Sequence, residues 1–370
     1  MATLYLHIPF CKQICTYCDF YRVGSVELLP KVIDQMHVEL DERATYLKDQ
    51  RLTSIYFGGG TPSLVKPSDI ENLINHARNL FDCTNLSEIT IEANPDDITE
   101  EYAEMVRQTS INRVSLGIQS FDDRVLKFMN RRHTGREAEV AIERLRKAGI
   151  DNISIDLIFG ITGFDGDHLG ESLRRAIALD VEHISAYHLT IEEHTRLGIM
   201  TRKGEYRAID DEGSVREFAR VHQALTDAGY DHYEVSNYAK RERYAEHNSA
   251  YWSGVEYLGI GAGAHSFSGD NRTWCTSTAK EYAEHMFGYD SEILSPEDHL
   301  NEYVMISLRT SHGIDTSYIA EHFGHDQLKR IEQEAQRWIA DGKLIRNNKR
   351  ISIPAEHFLI SDTIIESLFL

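Results

Sequence analysis

From residue 1 to about residue 230, short runs of β-branched, aliphatic and aromatic residues alternate with longer stretches whose apolar positions recur at helical spacing. The short runs predict strands at Leu4–Ile8, Ser54–Phe57, Glu88–Glu92, Arg113–Ile118, Asn152–Phe159 and His183–Leu189. Helices are expected between them, for example Leu28–Tyr46 and Glu137–Ala148, the latter ended by Gly149. Strand and helix repeating roughly every 30 residues is the rhythm of βα units, and six such units predict an α/β fold, an open or partial (β/α)6 barrel.

Past that point the rhythm breaks. Tyr233–Tyr238 reads as one more strand, Leu258–Phe267 as a loop of small residues and Asn271–Tyr289 as linker and helix. From Ser295 helical spacing returns, as in Leu300–Leu308, and Lys349–Pro354 reads as a closing hairpin. The chain therefore divides into a barrel over 1–230, a segment of broken rhythm over 231–294 and a helical C-terminal domain over 295–370.

Parallel barrels carry their chemistry at the C-terminal ends of the strands, and that is where this chain turns polar. After the first strand comes Cys11-Lys-Gln-Ile-Cys15-Thr-Tyr-Cys18. Three soft thiolates on one loop suit an iron–sulfur cluster, with a fourth iron left open to a small molecule. A closed zinc site would need a further ligand, for which His7 is the candidate. Lys12, Gln13, Thr16 and Asp19 interrupt any apolar face, so the cysteines do not read as small core hydrophobes.

Gly58-Gly-Gly-Thr-Pro62 after the second strand either brings backbone amides close to a ligand or makes a tight turn. Glu92 ends the third strand, where a buried charge needs a cation from a ligand or from a salt bridge within the barrel. Gln119 ends the fourth with both a donor and an acceptor, fit for a ribose. Arg131 and Arg132 follow, offering guanidinium groups suited to a carboxylate. Asp156 is the one acid in the fifth strand. Further on, His247-Asn248-Ser-Ala-Tyr251-Trp252 joins an imidazole that can reach iron to rings that can pack on a porphyrin; the same residues also read as satisfied core groups.

Composition narrows the partners. A chain of 370 residues with 41% hydrophobic content can bury a large core. A net charge of −20 argues against nucleic-acid binding, which depends on Lys and Arg displacing counterions. Of five cysteines only Cys83 and Cys275 lie outside the loop, so there is no disulfide framework, and thiolate ligation implies a reducing compartment. With no signal-like start and no apolar run long enough for a bilayer, a cytoplasmic protein is expected. Peripheral membrane contact and homodimerisation are left open.

Tyr5-Leu-His-Ile-Pro-Phe-Cys11, with Cys15, Tyr17 and Cys18-Asp-Phe20, resembles the opening of the HemW branch of the radical S-adenosylmethionine (SAM) superfamily. These are heme chaperones related to oxygen-independent coproporphyrinogen III oxidases. The resemblance implies a radical SAM barrel, closed by the heme-binding segment 231–294 and followed by a winged-helix-like C-terminal domain, with a [4Fe–4S] cluster on Cys11, Cys15 and Cys18 whose open iron takes SAM. It assigns Gly59, Gly60 and Thr61 to the methionine end of SAM, Glu92 to the amino group and Asp156 to the ribose, alongside Gln119. Arg131 matches the SAM-binding arginine, Arg132 being expected in solvent, and Tyr5 and Tyr17 match positions lining the site. His247, Asn248, Tyr251 and Trp252 match a heme-binding motif. The implied partners are heme, a recipient hemoprotein and an electron donor to the cluster. The alternative is the oxidase itself, in which a radical derived from SAM abstracts hydrogen from a propionate before decarboxylation. Those oxidases carry another cysteine two residues after the third; Phe20 stands there in this chain, which favours the chaperone.

Overall fold

The computed structural model describes residues 1–369. The six expected strands form: β1 (Ala2–Ile8), β2 (Leu52–Gly59), β3 (Glu88–Ala93), β4 (Arg113–Gln119), β5 (Ile153–Phe159) and β6 (His183–His188). They pair in parallel in chain order as a partial barrel. Side chains alternate across each strand. One set, including Leu4, Leu6, Ile55, Phe57, Ile89 and Ile91, is buried in the main hydrophobic core. The other set is polar: Ser54 and Tyr56 on β2, Glu88 and Glu92 on β3, Arg113 and Ser115 on β4, Ser154 and Asp156 on β5. The barrel interior is thus built to receive polar groups at its open end.

Two helix boundaries show what sets them. The helix expected over 28–46 spans Leu29–Glu42 and buries Val32, Ile33, Met36 and Leu40. It stops early because Arg43 turns away to donate to the Gly259 carbonyl at 2.9 Å, Ser266 Oγ at 3.0 Å and Thr273 Oγ1 at 3.1 Å. The second, Gly135–Lys147, starts two residues before its first expected position because Thr134 and Glu137 form a capping box.

Residues 231–294 extend the barrel sheet at both edges. The expected strand 233–238 is a hairpin, β7 (Asp231–His232) and β8 (Asn237–Ala239), with β8 antiparallel to β6. The buried Glu234 carboxylate accepts the Ser236 N–H at 2.9 Å and closes the turn. The small-residue stretch 258–267 is not a loop throughout. Its first part belongs to β9 (Glu256–Ile260), parallel to β1, and its end to β10 (His265–Ser268). Residues 271–289, read as linker and helix, hold β11 (Asn271–Cys275) and a short helix before β12 (Tyr289–Ile293). The sheet order is β12-β11-β10-β9-β1-β2-β3-β4-β5-β6-β8-β7.

A buried carboxylate holds this extension to the barrel. Glu39 accepts from the Gly261 N–H at 2.8 Å, the Tyr282 hydroxyl at 2.5 Å and the Tyr289 hydroxyl at 2.7 Å, and it faces Arg43 at 3.3 Å. Removing it leaves the buried Gly261 N–H and Tyr282 hydroxyl without their acceptor and takes one partner each from Tyr289 and Arg43. Glu39→Ala should cost about 3–5 kcal/mol of stability, the range for breaking a buried ion pair, read as a lower urea midpoint. An unchanged midpoint would show that these groups find other partners.

The C-terminal region packs helices Pro296–Leu308, Thr316–His322 and His325–Ala340 with a three-stranded antiparallel sheet, β13 (Ile314–Asp315), β14 (Ile345–Asn347) and β15 (Arg350–Ser352), in the order β13-β15-β14. The β14–β15 hairpin is the wing of a winged-helix-like unit. It joins the rest through Val235 N–H to the Arg309 carbonyl, 3.0 Å, and Ser311 N–H to the Tyr233 carbonyl, 2.9 Å. No helix among the described residues is long and apolar enough to cross a membrane.

Candidate cluster and cofactor site

The cysteine loop leaves β1 through Pro9 and the fully buried Phe10, and its backbone is pinned at several points. Cys11 N–H donates to Val23 O at 3.0 Å, Thr16 N–H to Met129 O at 3.1 Å, and the Asn130 side chain to Ile14 O at 2.7 Å. Cys11, Cys15 and Cys18 are free thiols lining one cavity of about 570 Å³. Burial pushes the Cys11 and Cys18 thiols above their ordinary range, so an incoming metal must draw off their protons. His7 does not complete a zinc site. Its Nδ1 lies 3.0 Å from the Tyr5 hydroxyl and its Nε2 3.3 Å from the Tyr21 carbonyl. Among the described residues no group of three or more His, Cys, Asp or Glu has the spacing of a single-ion site.

The glycine run belongs partly to β2, where His7 pairs with Gly58 and Ile8 with Gly59. The chain then turns against the cysteine loop so closely that a Cβ on Gly60 would lie 2.7 Å from the Phe10 carbonyl oxygen and 2.8 Å from its nitrogen. Glycine is required there by contact. Thr61 follows, its hydroxyl donating to Cys11 Sγ at 3.5 Å.

Glu92 faces the cavity from the end of β3. Its carboxylate accepts from the Tyr56 hydroxyl at 2.8 Å and the Gly59 N–H at 3.2 Å. No ion pair to it occurs among the described residues, and burial raises it to about 7. Asp156 sits across the barrel, held by the Ser185 hydroxyl, and burial raises it to about 6. Gln119, at φ 71°, ends β4 with its side chain on the cavity wall.

Arg131 reaches the cavity behind the cysteines, donating to Cys15 Sγ at 3.3 Å, to Asn94 Oδ1 at 2.6 Å and to the Gly117 carbonyl. A Cβ on residue 117 would stand 3.2 Å from this guanidinium, so Gly117 gives it passage. Arg132, expected in solvent, is instead paired with Asp96 at 2.8 Å and Asp97 at 3.1 Å on the turn after β3. Tyr17 lines the same cavity, whereas Tyr5 lies beneath it, its ring 6.0 Å from that of Tyr56.

The structure thus gathers Cys11, Cys15, Cys18, Tyr17, Gly59, Gly60, Thr61, Glu92, Gln119, Arg131 and Asp156 around one cavity. It keeps the second motif apart. His247, Asn248, Tyr251 and Trp252 lie on the helix Glu246–Trp252, which packs across the opposite, N-terminal ends of β2 and β3. The His247 imidazole is 1% exposed and uses both nitrogens, Nδ1 on Ser54 Oγ at 2.8 Å and Nε2 on the Tyr251 hydroxyl at 3.1 Å. Asn248, Tyr251 and Trp252 are half-buried. Sequence reasoning missed Tyr56 and Asn94, which hold Glu92 and Arg131. Strand alternation from Ser54 gave a signal for Tyr56; for Asn94 there was none. A wider surface groove of about 790 Å³ beside Thr162 and Arg207 contains none of the residues singled out.

A family model of the radical SAM superfamily matches residues 5–176, and one of the HemN C-terminal domain matches residues 294–359. The heme chaperone HemW of Bacillus subtilis is 33% identical over 357 residues, 94% of each chain. The chain belongs to the HemW family. The Lactococcus lactis heme chaperone HemW is 31% identical over 369 residues, 99% of this chain and 97% of its own. The solved coproporphyrinogen III oxidase (HemN) of Escherichia coli, a radical SAM enzyme, shares the fold with a TM-score of 0.83 at 21% identity, over 100% of this chain and 90% of its own. Membership in HemW, with its radical SAM domain, implies a [4Fe–4S] cluster and SAM. The residues fit that pair of groups. Three free thiols share one loop, and a carboxylate in no ion pair among the described residues stands in the same cavity, whose volume is typical of a small-molecule site.

Proposed function

We propose that this protein is a heme chaperone that holds a [4Fe–4S] cluster on Cys11, Cys15 and Cys18, binds SAM over the ends of β2–β5 and carries heme to a recipient hemoprotein. The observation that carries the cofactor part is Glu92. A carboxylate inside a cavity, hydrogen-bonded by Tyr56 and Gly59 yet in no ion pair among the described residues, calls for a ligand ammonium, and SAM has one. Gly59, Gly60 and Thr61 would take the methionine end, Gln119 and Asp156 the ribose, and Arg131 and Tyr17 the wall beside the cysteines. Together the bound groups supply one-electron chemistry, with electrons from a reduced protein donor.

Heme transport is supported by the relatives that bear the name heme chaperone and by Phe20, which stands where the oxidase loop has a cysteine. The segment with His247, Asn248, Tyr251 and Trp252 is the candidate for heme contact. Iron ligation by His247 Nε2 requires the Tyr251 hydroxyl to leave it.

The test is anaerobic reconstitution followed by two assays on one sample, heme titration and coproporphyrinogen decarboxylation with SAM and a reductant. Stoichiometric heme uptake without decarboxylation is expected. Decarboxylation with release of 5′-deoxyadenosine would make the protein an oxidase and overturn the reading.

A further inference from the structure

The helix Glu246–Trp252 is fixed to the closed end of the barrel by its own N-terminus. The Glu88 carboxylate accepts the N–H groups of Glu246 at 3.0 Å and His247 at 3.1 Å. This seats the His247 imidazole against the inner face of β2. Its ring stacks on Tyr56 with centroids 4.9 Å apart and an interplanar angle of 29°, and Tyr5 flanks it at 6.3 Å. Tyr251, one helical turn on, packs edge-on against the imidazole and hydrogen-bonds its Nε2. Above the stack, the Tyr56 hydroxyl donates to Glu92 Oε1 at 2.8 Å. Three side chains therefore connect the closed end of the barrel to the cavity, Tyr251 to His247 to Tyr56, and the last of them holds the carboxylate assigned to the SAM ammonium.

We propose that His247 and Tyr251 are positioning residues for SAM: they hold the Tyr56 ring from below so that its hydroxyl aims Glu92 at the ammonium group. The inference rests on the assignment of Glu92 to SAM. Its physical basis is preorganisation. Among the described residues Tyr56 is the one side chain that donates to Glu92, and a ring backed on its inner side cannot turn its hydroxyl away without breaking the stack. Burial holds His247 neutral by lowering it to about 3, so the imidazole acts by shape and hydrogen bonding rather than by charge.

Two ligands separate this role from general support of the fold. SAM carries the ammonium group, whereas 5′-methylthioadenosine keeps the adenosine and lacks the amino-acid portion. In the cluster-loaded full-length chain, His247→Ala and, as the milder change, Tyr251→Phe should weaken SAM about tenfold and leave 5′-methylthioadenosine unchanged. Tyr56→Phe should do the same, and combined with His247→Ala it should lose little more than either alone. Glu92→Gln is the reference. If Glu92→Gln leaves SAM affinity intact, the assignment of Glu92 falls and the inference with it. If Glu92→Gln weakens SAM while His247→Ala and Tyr251→Phe do not, the positioning role alone is overturned. Equal weakening of both ligands, or loss of iron, in both of these variants would also overturn it, since that marks a general structural role.

Discussion

Cys15→Ala should take the iron content of the reconstituted protein from about four per chain to near zero, with loss of the visible absorption of the cluster. The loop offers three thiolates and no fourth, and among the described residues no other thiol or thioether lines the cavity to replace one. Asp19, the next acid, is exposed and paired with His194. The substitution also takes from Arg131 one of its three acceptors, leaving Asn94 and Gly117. Loss of iron therefore should not come with unfolding. Thermal melting of the cluster-free variant should match that of the cluster-free parent, which separates loss of a ligand from loss of the fold. Cys83→Ala and Cys275→Ala supply the contrast, because both residues are free thiols outside the cavity. Full iron in Cys15→Ala, or equal losses in all these variants, would remove the three-cysteine assignment.

The parallel strands were legible because each is a short run rich in β-branched, aliphatic and aromatic residues, and most of the site residues followed because they stand at or just after the C-terminal end of such a run. Where the signal failed, the cause was contact at a distance. Arg132 resembles any exposed arginine in sequence, and only the fold brings Asp96 and Asp97, some 35 residues earlier, to within salt-bridge range. β9 was hidden by its composition, since Gly259 and Ile260 run into Gly261-Ala-Gly-Ala264 and the whole stretch reads as a loop. The strand forms because it lies between β1 and β10, with the Gly259 carbonyl taken by Arg43. The second motif was found but not its setting: nothing local says that the His247 ring would be enclosed by Ser54, Tyr56 and Tyr251. Contacts between elements far apart in sequence are what a single chain read in order cannot supply.

SAM affinity should rise with pH up to about 7 and fall again above about 8, the ordinary range of an α-amino group, giving a bell-shaped profile that Glu92→Gln flattens on its acid side. The acid limb comes from Glu92, which burial raises to about 7. Below that value the carboxyl holds its proton in the free protein, so binding an ammonium must first expel it, and affinity falls toward tenfold per pH unit. The sign for stability is the reverse. A carboxyl that holds its proton more tightly when folded stabilises the fold most below its unfolded value of 4.5, and that contribution disappears as pH rises through about 7. The loss is on the order of 3 kcal/mol. The free protein should therefore melt at lower temperature as pH climbs from 5 to 7, while the rise in melting temperature caused by SAM grows over the same interval. Asp156, raised to about 6, adds to the first trend but not to the second, because a ribose hydroxyl carries no charge to pair with it. Glu92→Gln should cut SAM affinity at neutral pH by about 30-fold or more, the cost of leaving a desolvated ammonium without its partner. An affinity that is flat from pH 6 to 8 in the parent would mean that Glu92 is already ionised in the free protein, which requires a cation from the chain itself and ends its role as the ammonium ligand.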